Sequence, residues 1–112
     1  MFMSRDSVAA GDDVESHDQV VEVDSRRLLA VFLSSVVSDG YLPGIAGGHA
    51  TWVVRAGRGG RPLGVIAQEG ERPELLTDIG IQVVAIGPLI HFEYRAQKDP
   101  AIVLADLRQK PR

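Results

Sequence analysis

The chain contains no cysteine. That excludes a disulfide framework, thiolate metal ligation and a cysteine nucleophile. Aromatic residues are scarce, 5% of 112 residues, with one Trp, two Tyr and three Phe. Once a core is filled, few remain for a base-stacking platform, so nucleic-acid binding is not favoured. Long apolar runs are missing as well. The longest is Leu28–Leu33, far below the roughly 20 residues of a membrane-spanning helix. Met1–Ser7 lacks the basic-then-apolar pattern of a signal peptide, so the expected location is cytoplasmic. The nucleophile-elbow pattern G-x-S-x-G is absent. The glycines of Gly44–Gly48 are not followed by Lys-Ser/Thr, and they lead into a strand where phosphate-binding loops lead into a helix. No internal repeat is present.

What is there is the balance of one globular domain: 45% hydrophobic and 24% charged residues in 12.1 kDa. The net charge of −3 is unevenly spread. Residues 1–24 carry seven acids (Asp6, Asp12, Asp13, Glu15, Asp18, Glu22, Asp24) against Arg5, or −6. Residues 25–112 carry eight acids against eleven bases, or +3. Residues 1–18 show no apolar periodicity, and the expectation is a disordered acidic arm preceding a single domain over 19–112. On that reading, deleting 1–18 costs less than about 0.5 kcal/mol.

Val20–Val23 is β-branched and suits an edge strand or a lead-in. Leu28, Leu29, Phe32, Leu33, Val36 and Val37 recur at helical spacing. Asp24 or Ser25 serves as N-cap, and Gly40 suits the left-handed stop. The period then changes. Strands are expected over His49–Ala56 and Pro62–Gln68, joined by the Gly57-Arg58-Gly59-Gly60 hairpin. Ile79–Ile86 is β-branched and suits a third strand, and Glu69–Thr77 before it reads as a loop or a single helical turn. Leu89–Ala96 alternates cleanly: Ile90, Phe92 and Tyr94 face one way; His91, Glu93 and Arg95 face the other. Asp99-Pro100 starts a last helix with Val103, Leu104 and Leu107 on its apolar stripe. The expected fold is α+β: an antiparallel meander of three to four strands, with the N-terminal and C-terminal helices packed on one face.

Four constellations bear on function. His91, Glu93 and Arg95 share one side of a strand and form a polar set. Arg55, Arg58 and Arg61 surround the glycine hairpin and suit an anionic contact. The acids Asp12, Asp13, Glu15, Asp18, Glu22 and Asp24 suit a basic partner. A fourth, His49-Ala50-Thr51-Trp52, resembles the H-x-[ST]-hydrophobic motif of the two-histidine phosphoesterases. In that motif the hydroxyl holds a phosphate oxygen and the imidazole moves a proton. The family carries two such motifs. Here the second histidine is His91, in His91-Phe92-Glu93, without the hydroxyl. His17 has no companion, and the histidines and carboxylates do not take a metal-ligand spacing.

The sequence therefore favours a small non-catalytic protein-binding module. Its expected role is a neutralising partner, such as an immunity protein or antitoxin, that binds a toxin or nuclease by charge and shape. No cofactor, metal or membrane is implied. One alternative is a small phosphodiester-acting enzyme built on His49, Thr51 and His91. Another is a homodimeric structural module that pairs through an open sheet face.

Overall fold

The structure is a computed structural model, and it describes residues 1–6, 19–24, 26–42, 51–67, 73–78, 80–95 and 100–109. Its elements are β1 (Phe2–Arg5), β2 (Gln19–Val20), α1 (Leu29–Ser38), β3 (Thr51–Arg55), β4 (Pro62–Ala67), β5 (Glu74–Leu75), β6 (Leu89–Arg95) and α2 (Pro100–Gln109). Among the described residues six strands form one mixed sheet, in the order β2-β1-β6-β3-β4-β5.

The centre of the sheet follows the local signals. β3 and β4 pair antiparallel across the glycine hairpin, with Trp52 opposite Ile66 and Val53 opposite Val65. Gly57 and Gly59 take positive φ of 85° and 68°. A side chain with Cβ is strained in that conformation, which explains why the connection is built from glycine. β6 pairs antiparallel with the other edge of β3, placing Val54 opposite Phe92 and Arg55 opposite His91. The alternation in β6 then separates two faces. Ile90 and Phe92 enter the main core with Met3, Trp52, Val54, Leu63 and Ile66. His91 and Glu93 lie on the opposite side with Val53 and Arg55.

Helix α1 covers the main core through Leu29, Phe32, Leu33 and Val36. It ends where expected, Gly40 taking a φ of +76° just beyond the Asp39 cap. Its start is later than the sequence suggests. Asp24 does not cap it; its Oδ1 accepts the Arg26 N–H at 3.0 Å and its carbonyl accepts Arg27 N–H at 2.9 Å. Those bonds make a turn, Leu28 stays extended, and the helix begins at Leu29. Ser25 lies outside the described residues, as do 43–50 and therefore His49.

Four expectations need correction. The sheet is not an antiparallel meander, because β1 lies parallel to β6, with Met3 beside Ile90 and Ser4 beside His91. The start of the supposed acidic arm is therefore a sheet strand: Met3 and Ser4 are 4% and 1% exposed. Residues 7–18 lie outside the described residues. Secondly, the helices are not on one face. α2 packs Val103, Leu104 and Leu107 against Val53 and Val65, on the side away from α1. Two apolar residues on that second face need cover from water, and α2 provides it. Thirdly, the run expected as a strand over Ile79–Ile86 is not one in its described part, residues 80–86. Its middle, Val83–Ala85, is a single 3₁₀ turn. Backbone bonds from Leu29 to Ile81 and from Val83 to Arg27, both 2.9 Å, tie this segment to the start of α1, away from the sheet. Finally, the loop expected over Glu69–Thr77 contains the short edge strand β5, paired to β4.

Candidate functional site

The second face of the sheet is apolar over β3 and β4, where α2 lies, and polar over β1 and β6. Two hydrogen-bonded networks occupy the polar half. In the first, Ser4 Oγ lies 2.7 Å from His91 Nδ1, and His91 Nε2 lies 2.9 Å from Asp6 Oδ1. The other Asp6 oxygen accepts the Tyr94 backbone N–H at 2.9 Å, and Asp6 N–H donates to Phe92 O at 3.0 Å. A carboxylate only accepts, so Nε2 carries a proton; Ser4 then donates to Nδ1 when the imidazole is neutral. All three side chains are satisfied.

The composition is that of a serine–histidine–aspartate triad, but the exposure is not. A nucleophilic serine must meet its substrate. Ser4 is 1% exposed and His91 6%. The geometry instead makes a clamp: Ser4 and Asp6 of the β1 segment grip β6 from the side chain of one histidine and the backbone of one tyrosine.

In the second network Glu93 is shared by two arginines. Arg55 Nε and Nη2 donate to its two oxygens at 3.1 and 3.3 Å, and Arg55 Nη1 donates to Gly60 O at 2.9 Å. Arg95 approaches Glu93 Oε1 through Nε at 2.8 Å and Nη2 at 2.7 Å. Burial pushes the Glu93 carboxyl up. The hydrogen bonds and charges of Arg55 and Arg95 together outweigh it and hold the group below its ordinary value of 4.5. A depressed folded-state value gives stabilisation that is complete above the unfolded-state value and fades as pH falls through the folded one. Glu93→Gln should therefore lower stability at neutral pH, and the gap from wild type should close in acid below pH 4.5. Urea unfolding of both proteins across pH 2–7 measures this (roughly the carboxylate range); a gap that is constant with pH contradicts it.

The residues singled out in the sequence are distributed as follows. His91, Glu93 and Arg95 share one face, and Arg55 joins them by the diagonal from β3. Arg58 and Arg61 are exposed on the hairpin. Glu22 and Asp24 are exposed just after β2, while Asp12, Asp13, Glu15 and Asp18 lie outside the described residues. Thr51 does not meet His91. It pairs with Arg95, four residues further along β6, which is about 13 Å at strand rise. It is also 1% exposed. The phosphoesterase-like arrangement therefore loses two of its members as a joint site, and His49 lies outside the described residues. The sheet face expected to be open for dimer pairing is likewise partly closed: α2 lies over its Val53 and Val65.

Ser4 and Asp6 are the site residues that the sequence reading misses. By position Asp6 belongs to the acidic run of residues 1–24, and nothing within six residues signals its partner. Among the described residues no three His, Cys, Asp or Glu side chains form a metal-binding group, and no helix is long and apolar enough to cross a membrane. At the free end of the same face stand exposed apolar side chains. Phe2 is 53% and Val20 72% exposed, and they are cross-strand neighbours.

Comparisons with family models, curated proteins and solved structures find no match to this chain.

Proposed function

We propose that the chain is a non-catalytic module that binds another protein, and that its role is to neutralise or inhibit that partner, as immunity proteins and antitoxins do. One observation supports this above the others. The polar side chains of the sheet face bond to one another (Ser4–His91–Asp6 and Arg55–Glu93–Arg95), with the serine and histidine buried. What faces solvent is contact surface: apolar Phe2 and Val20, acidic Glu22 and Asp24, and the arginines of the hairpin. Such a surface binds by complementarity and does not need a reacting group.

The test is co-expression with the product of the neighbouring reading frame. The expected result is protection of the host and a stable complex on size-exclusion chromatography. A neighbour that stays toxic and elutes alone overturns the neutralising role. Hydrolysis of a cyclic phosphodiester by the purified chain, at a rate above buffer and lost in His91→Ala with an unchanged circular dichroism spectrum, overturns the non-catalytic part.

A further inference from the structure

Among the described residues β2 is one edge of the sheet. Its Val21 neighbour donates a backbone N–H to Met1 O at 2.9 Å. Alternate residues of an antiparallel strand direct their N–H and C=O to opposite sides. The backbone groups of Val20 therefore point away from β1, to the outside of the sheet. Natural edges are usually blunted by charge, proline or a bulge. Here the edge residue is a valine that is 72% exposed, with a phenylalanine 53% exposed directly opposite. Leu89 comes next in the register after Phe2, so an apolar row crosses β2, β1 and β6. Glu22 and Asp24, both exposed, follow Val20 by two and four positions.

We infer that this edge receives an extended segment of a partner protein as an added strand, and that the segment alternates apolar residues with Lys or Arg. The inference rests on the protein-binding reading above and names the partner's chemistry. Main-chain bonds to Val20 hold the strand, the Val20–Phe2–Leu89 row takes its apolar side chains, and the acids select its charge. Residues 1–24 as a whole carry −6, which draws a basic segment and repels an acidic one. A second copy of this chain fits poorly. A second copy brings its own exposed Glu22 and Asp24 to the same edge, and like charges brought together across a strand pair are destabilising.

The experiment measures fluorescence anisotropy of a labelled peptide of about ten residues alternating Val and Lys, added to the full chain. A peptide with Glu for Lys is the comparison. The Lys peptide should bind and the Glu peptide should not. Val20→Pro removes the outward N–H while leaving the bonds of Val21 to β1, and proline is tolerated on such an edge. Val20→Pro and Glu22→Lys should each weaken binding by about tenfold or more, some 1.4 kcal/mol. If Val20→Pro shifts the urea midpoint, Glu22→Lys alone decides. Equal binding of both peptides, or unchanged binding by Glu22→Lys, overturns the inference. So does a dimer in light scattering that Val20→Pro dissolves, since the occupant is then a second copy. Protection against the neighbouring product that survives Glu22→Lys removes this edge and leaves the protein-binding reading standing. Peptide binding without any neutralised neighbour does the reverse.

Discussion

Deleting Met1–Asp6 should destabilise the protein by on the order of 4 kcal/mol. The largest part is Met3, which is 4% exposed within the main core. Truncating a buried methionine costs about 2–5 kcal/mol through lost burial and the cavity left behind. The Ser4–His91–Asp6 bonds and the parallel ladder to β6 go with it. Water reaches the opened edge of β6 and re-solvates His91, so the penalty there is only part of the full cost of an unpaired buried group. Domains have total stabilities of about 5–15 kcal/mol, so this loss leaves a substantial unfolded fraction. Urea unfolding of the shortened and full chains checks it. A midpoint unchanged within experimental error would show that β1 adds nothing to the fold. That result is what the composition of residues 1–18 suggests when they are read as an arm.

Phe92→Ala should cost about 3–5 kcal/mol. Phe92 is 0% exposed at the centre of β6, between β1 and β3. Its ring meets Tyr41 edge-to-face at 5.9 Å, a preferred aromatic geometry. It stands opposite Val54 on β3 and Arg5 on β1 in the sheet register. Few of these neighbours can relax into the space, since they are held by the ladder on both sides. Denaturant unfolding at equilibrium reads the loss. A change below about 1 kcal/mol, the range of a conservative core swap, contradicts this placement.

The residues that dominate these two losses differ in how visible they are in the sequence. Phe92 announces itself. Isoleucine, phenylalanine and tyrosine alternate with histidine, glutamate and arginine over six residues, and a strand with one buried face must sort them that way. Met3 sits in Phe2-Met3-Ser4-Arg5, where four residues are too few to show a period. The same contrast divides the candidate site. Glu93 and Arg95 were grouped with His91 because strand alternation puts i and i+2 on one side. Ser4 and Asp6 were not, because their bonds to His91 cross 87 and 85 residues of chain. Burial also reversed one meaning. His91 reads as an outward, solvated side chain, but the face it points to is closed by β1 residues, and it is 6% exposed.

Local chemistry by itself determined much of this protein. The hairpin glycines, the Gly40 stop of α1, the faces of β6 and the start of α2 at Pro100 all follow from signals within a few residues. Those signals act through backbone strain and periodicity, which a short segment carries alone. The tertiary structure decided three things. It placed β1 parallel beside β6, sent the two helices to opposite faces, and turned Ser4, Asp6 and His91 into a clamp. Each of these depends on free energy gained when distant groups leave water together. No short segment contains both halves of that exchange, so the pattern along the chain does not record it.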